Sequence, residues 1–204
     1  MHEIRKPAVA GQFYDRSEKH LIETIEKCFI DKRGPGKISN KQNVEKKIIG
    51  VVVPHAGFIF SGAIAAHSYK EIYDNGFADT FIILGPNHTG MGSGVATVTD
   101  GKWQTPLGEI KIDKELAKQI HTGIIDSDKI AHRQEHSIEV QLPFLQYLSE
   151  NKKFKFVPIS MSMQDIDTNK EVGKIITDAI KETNKKIVII ASSDFSHVGF
   201  NYMT

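Results

Sequence analysis

A single cysteine, a single tryptophan and almost no net charge are what this 204-residue chain has least of. A lone Cys28 closes no internal disulfide and excludes a cysteine-rich zinc site, so a reducing compartment is the simplest setting. The 26 basic residues against 25 acidic ones leave +1 with histidine neutral, which argues against nucleic-acid binding through bulk charge. The longest apolar run, 48–53 with a glycine inside it, falls far short of the ~20 residues that span a bilayer. The apolar stretch at 7–11 is too short for a signal peptide. A cytoplasmic chain with neither a membrane nor a nucleic-acid partner is therefore expected. Gly-x-Gly-x-x-Gly after a strand, a lysine-bearing phosphate loop and a Gly-x-Ser-x-Gly elbow are all missing, which removes the common nucleotide and serine-hydrolase readings.

What remains is ordinary folded material. With 40% hydrophobic and 25% charged residues the chain suits one generous domain, 1–204, with a full core. The apolar stripe Leu21, Ile25, Phe29 predicts a helix over 17–29 capped by Ser17. Runs 48–53, 80–84 and 187–191 are apolar without alternation, the pattern of strands covered on both faces. Helices are expected at 61–75, capped by Ser61 and stopped by Gly76, and at 113–121, 137–150 and 168–182. Further strands are expected at 95–99, 109–112 and 155–159, and a solvated loop at 31–47. Alternating strands and helices predict an α/β fold with a central mixed or largely parallel sheet flanked by helices. In such sheets ligands gather beyond the strand C-termini.

Histidine is the unusual entry, with nine in the chain. Three strand ends carry one each: Pro54-His55-Ala56-Gly57, Gly85-Pro86-Asn87-His88-Thr89-Gly90 and Ser192-Ser193-Asp194-Phe195-Ser196-His197. If those strands share one sheet and one direction, His55, His88 and His197 converge. Neutral imidazole is the commonest metal ligand, and two histidines on rigid strand ends with an acidic group suit mononuclear iron, zinc or copper. Singly, each is more readily a capped loop residue; together they point to a shared site. Asp194 fits a catalytic or orienting carboxylate, or a helix-start signal. A further cluster, His132-Arg133-Gln134-Glu135-His136-Ser137-Ile138-Glu139, would set Glu135 and Glu139 on one helix face. There Glu135 and His136 are the better functional choices, and Glu139 fits a structural anchor. His67 reads as a packed histidine, Trp103 as core or hairpin packing, and Cys28 as a small buried apolar side chain.

Six ordered segments together resemble the Memo family. They are Arg5-Lys6-Pro7-Ala8-Val9-Ala10-Gly11-Gln12-Phe13-Tyr14, Pro54-His55-Ala56-Gly57, Leu84-Gly85-Pro86-Asn87-His88-Thr89-Gly90, Trp103-Gln104-Thr105-Pro106-Leu107-Gly108, Glu135-His136-Ser137-Ile138-Glu139 and Ser192-Ser193-Asp194-Phe195-Ser196-His197. The resemblance implies a fold shared with class III extradiol dioxygenases, whose non-haem iron opens catechol rings. It implies a cleft metal, Fe(II) or Cu, held by His55 and His88, with His197 as acid/base and Asp194 as the acidic residue of the cleft. Asn87, Glu135 and His136 are expected on the substrate side. Family members run beyond this last segment and take a third ligand, a cysteine, from there; Cys28 does not match it. The chain is therefore expected to lack the family's C-terminal part and to hold metal weakly. An uncovered apolar patch or open sheet edge, favouring self-association, is expected with it. The functional expectation is a metal-dependent redox enzyme or metal-handling protein acting on a small-molecule or peptide ligand. The alternative is a non-catalytic module that captures a peptide or small acid in the same cleft.

Overall fold

A computed structural model describes residues 3–38, 48–150 and 152–197. In chain order its elements are β1 (Ile4–Arg5), α1 (Glu18–Ile30), β2 (Gly50–Val53), α2 (Phe58–Asp74), β3 (Thr80–Pro86), β4 (Val95–Thr97), β5 (Lys102–Thr105) and β6 (Gly108–Ile112). There follow α3 (Lys114–Ile120), β7 (Asp126–Ser127), α4 (Leu142–Leu148), β8 (Lys155–Met161), α5 (Ile166–Lys181) and β9 (Ile187–Ser192). Tight 3-10 turns lie at Ile130–His132 and Glu139–Gln141.

The strands form one sheet in the order β1-β5-β6-β8-β3-β9-β2, with β4 beside β8 and β7 beside β4. β2, β9, β3 and β8 are mutually parallel, while β5–β6 is an antiparallel hairpin and β4 runs against β8. This is the mostly parallel, mixed sheet flanked by helices that the alternating pattern predicts. β3 lies inside it between β8 and β9, and Phe81, Ile82 and Ile83 are fully buried there, as a strand covered on both faces requires. β2 departs from that expectation. It starts at Gly50 and sits at the sheet edge, where Val52 is 45% and the preceding Ile49 70% exposed. A β-branched run encodes a strand but not its place in the sheet. Ile59, Phe60 and Ile64 on α2 and Phe195 after β9 are also exposed.

The helices pack through aromatic side chains. Leu21, Ile25 and Phe29 of α1 form the predicted buried stripe, and Phe144 of α4 meets Phe29, Phe58 and Tyr69 at ring-centroid distances of 4.6–6.1 Å. α2 begins at Phe58, not at Ser61. The Phe58 N–H donates to the carbonyl of Phe13 at 2.8 Å, so a tertiary contact satisfies the first turn and no side-chain cap is needed. The Ser61 hydroxyl instead donates to Ala56 O. The helix expected over 137–150 resolves into a 3-10 turn and then α4, with Pro143 in the first turn of α4. Glu135 and Glu139 therefore do not share a helix face. Of the loop expected at 31–47, residues 39–47 lie outside the described residues. Among the described residues no helix is long and apolar enough to cross a membrane.

Candidate metal centre

Because β2, β3 and β9 point the same way, their C-terminal ends meet at one edge of the sheet. His55 follows β2, His88 follows β3, and Asp194 and His197 follow β9. The convergence predicted from three strand-end histidines holds for His55 and His88, whose ring centroids are 5.2 Å apart. His136, from the segment between the two 3-10 turns, stands with them: its ring stacks on His88 at 4.5 Å and lies 5.7 Å from His55. One ligand atom from each of these three histidines lies within 4.8 Å of the others. His197 is half exposed and meets Asp194, whose Oδ2 is 3.1 Å from His197 Nε2 and 3.7 Å from His55 Nε2.

The tautomers follow from the partners. The Ser192 hydroxyl donates to the carbonyl of Ser137 at 2.7 Å, so its oxygen accepts from His55 Nδ1–H at 2.9 Å. That leaves the lone pair of His55 on Nε2. Glu135 Oε1 accepts from His88 Nδ1–H at 2.9 Å, which leaves His88 Nε2 unprotonated in the neutral ring. The same oxygen is 3.3 Å from His136 Nδ1. Carboxylate and hydroxyl partners on Nδ1 are the usual way to aim imidazole Nε2 at an ion. Burial pushes His55 down to about 4, with Asp194 opposing and His88 adding to the shift. Burial also lowers His136. Both rings are thus neutral near pH 7 and ready to ligate without releasing a proton.

The carboxylates are built to stay charged. Glu135 is 1% exposed. Burial alone would raise its pKa, but hydrogen bonds from the His88 ring, from Ser137 N–H and from His88 N–H outweigh it and bring it to about 2. With His136 N–H also donating, Oε1 of Glu135 accepts three hydrogen bonds and Oε2 one, so it acts as a positioning group. Asp194 follows the same logic: burial opposes ionisation, yet the His55 and Ala56 N–H groups and the His197 ring hold its pKa below the ordinary value. Asn87 folds onto its own loop, its Oδ1 accepting from Thr89 and Gly90 and its amide donating to Met91 O.

Several groups that the candidate-site residues did not include also shape the site, Arg5 and Phe13 from the first of the six segments among them. Phe13 packs its ring on His136 at 4.5 Å, and Gln141 donates to Ser192 Oγ and to Pro54 O. Arg5 donates to His132 O, Glu135 O and Glu139 Oε2 at 2.6–2.7 Å and so pins the segment that carries His136. Glu139, fully buried, also accepts from Ala8 N, Val9 N and the Tyr14 hydroxyl, the anchoring role its surroundings suggested. Cys28, 7% exposed in α1, is no part of the histidine cluster. His67 is exposed, not packed, and pairs with the carbonyl of Arg33.

The fold and site together define an α/β protein with a histidine cluster at the strand ends, backed by the buried Glu135 and the partly buried Asp194. The family model described as Memo-like protein matches residues 5–203, and the chain belongs to the Memo family. A MEMO1 family protein of Methanopyrus kandleri is 50% identical over 195 residues, covering 95% of this chain and 69% of that relative. One from Methanococcus vannielii is 53% identical over 199 residues, and one from Thermococcus onnurineus 49% identical over 203 residues. These cover 95% and 98% of this chain and 70% and 67% of the relatives. Membership is consistent with the dioxygenase-like fold that the sequence motifs imply.

Proposed function

We propose that the chain is a non-haem metal protein of redox type, with iron or copper in the cleft and a small-molecule or peptide ligand beside it. The observation that carries this reading is the approach of three imidazoles from His55, His88 and His136 to within 4.8 Å of one another. The donor set fits a divalent first-row ion: neutral nitrogens whose Nδ1 atoms are engaged, in a partly buried, anion-backed cleft. Such an ion would supply redox or Lewis-acid chemistry to a bound ligand. His136, expected on the substrate side, here takes the place of a third ligand.

The rest of the work falls to the chain itself. Glu135 orients His88 and draws His136 beside it. Ser192 fixes the His55 tautomer. Asp194 holds the exposed His197 by its Nε2 and so sets that ring beside the cleft as a proton donor or acceptor for an incoming ligand. Phe13 covers one face of His136 and keeps water from it. The test is anaerobic titration with Fe(II) and with Cu(I), followed by elemental analysis. About one ion per chain is expected. His55→Ala, His88→Ala and His136→Ala should lose it, and His197→Ala should retain it. Equal loss in all four variants would end the division of roles, and no uptake by the unaltered chain would favour a non-catalytic module for peptides or small acids.

A further inference from the structure

Gln141 closes the second 3-10 turn, is 1% exposed, and touches the chain beside two of the three clustered histidines. Its Nε2 is 3.1 Å from the carbonyl of Pro54, the residue before His55. The same nitrogen is 3.3 Å from the carbonyl of Ser137, the residue after His136. It also donates at 2.9 Å to Ser192 Oγ, the atom that holds His55 Nδ1. Glu135 joins His88 to His136; the Gln141 amide, with Ser192, joins His55 to His136.

The amide has one permitted orientation. The Pro54 and Ser137 carbonyls only accept, so the NH₂ must face them. Gln141 Oε1 in turn accepts from the Tyr69 hydroxyl, which also lies 3.2 Å from the Gln141 carbonyl. Tyr69 is fully buried on α2, with its ring stacked on Phe144. Burial holds its hydroxyl well above the ordinary tyrosine pKa, so it stays a donor. Ser192 is then fully committed. Its one hydrogen goes to Ser137 O, one lone pair takes the Gln141 amide, and the other is left for His55 Nδ1–H. Polar groups buried this deeply add little stability over apolar residues of the same shape. What they add is a single arrangement of the groups around them.

We infer that Gln141, oriented by Tyr69, is a positioning residue of the histidine cluster, fixing the Ser192 hydroxyl and the backbone beside His55 and His136 and so presenting His55 with Nε2 free. Its use rests on the metal reading above, so the first readout is taken without metal: the ring ¹⁵N shifts of His55 at pH 7.5. The unaltered chain should show the Nδ1–H tautomer alone. Gln141→Met keeps the length of the side chain but removes the amide, which frees the Ser192 hydroxyl to turn toward His55 Nδ1. A mixture of the two tautomers is expected, with Fe(II) affinity lower by about tenfold in anaerobic titration. Tyr69→Phe keeps the ring stack and removes only the hydroxyl. It should shift both readouts the same way by less, and it decides the matter if Gln141→Met does not fold. Ile176→Val, which trims the core under α5, should lower the melting temperature and change neither readout. A tautomer shift in a chain that takes up no metal would sustain this inference and remove the metal reading. An unchanged His55 tautomer in folded Gln141→Met, or an equal shift in Ile176→Val, would overturn it.

Discussion

Glu135 holds His88 at two points, accepting the backbone N–H on Oε2 at 2.5 Å and the ring Nδ1–H on Oε1 at 2.9 Å. Its Oε1 also receives the N–H groups of His136 and Ser137 at 2.8 Å. One carboxylate therefore fixes the relative position of two imidazoles that come from different parts of the chain. Glu135→Gln would turn an amide NH₂ toward this ring of donors. The expected outcome is a loss of about 2–3 kcal/mol in stability and about 10–100-fold in metal affinity. Chemical denaturation and a metal titration on the same variant check it. An unaltered metal affinity would mean that His88 is positioned by its loop alone.

Acid should destabilise the metal-free chain well above the pH at which surface carboxylates titrate. His132 and His55 have folded pKa values of about 3 and about 4, both below the ordinary histidine value of 6.5. Below pH 6.5 the unfolded chain takes up protons that the folded chain refuses, so stability falls as pH drops from 6.5 toward 4. Each histidine should cost about 2 kcal/mol at pH 5 relative to pH 7.5. Glu135 adds a second loss at lower pH. Its folded value of about 2 lies below the ordinary 4.5, so its contribution, complete above 4.5, fades as pH falls toward 2. Urea midpoints at pH 7.5 and pH 5 measure the first window. Midpoints that coincide would show that neither ring is kept neutral by burial.

The strand-end histidines were legible because β3 and β9 are written as apolar runs and parallel strands deliver their ends to one place. His88 and Asp194 then follow from simple position. The third histidine was harder to place. Ile138, Val140, Leu142, Phe144 and Leu145 are all buried, so 137–150 shows no amphipathic stripe; the sequence reads as helical there with Pro143 as a kink or the start of a second piece, and the 3-10 turn before it carries no signal of its own. What breaks it is long-range: Arg5 and the 8–9 backbone bind Glu139 across about 130 positions of sequence. No local pattern encodes such a partner. The edge position of β2 was hidden for the same reason, since strand order in a sheet is a property of the whole chain.

That long-range clamp makes its own prediction. Glu139 is buried and accepts four hydrogen bonds, one of them the only side-chain carboxylate contact of the Arg5 guanidinium among the described residues. Glu139→Ala leaves Arg5 and the Tyr14 hydroxyl facing an empty site and should cost about 3–5 kcal/mol. Tyr14→Phe removes a single donor and should cost about 1 kcal/mol. Calorimetric melting of the two variants side by side gives the contrast. Similar small losses in both would show that solvent replaces the carboxylate and that the clamp contributes little.

Gly85, in β3, shows how closely the His136 segment is pressed to the sheet. A Cβ at this position would lie 2.5 Å from Ser137 Oγ and 3.0 Å from both Ser137 Cβ and Ile138 Cγ1. Ser137 cannot swing aside freely, because its hydroxyl donates to Pro86 O and its carbonyl accepts from Ser192. Gly85→Ala must therefore push the 137–138 backbone outward, and with it the adjacent His136 and the Glu135 carboxylate. Overpacking of this kind costs about 1–3 kcal/mol, and the displacement separates His136 from His88. The expected result is a folded variant with a modestly lower melting temperature and a disproportionate loss of metal affinity. Gly173→Ala, inside α5 with nothing within 4 Å of the added Cβ, should leave metal affinity unchanged and the melting temperature equal or slightly raised, and serves as the control. Metal affinity preserved in Gly85→Ala, alongside the drop in melting temperature, would show that His136 does not take part in the cluster.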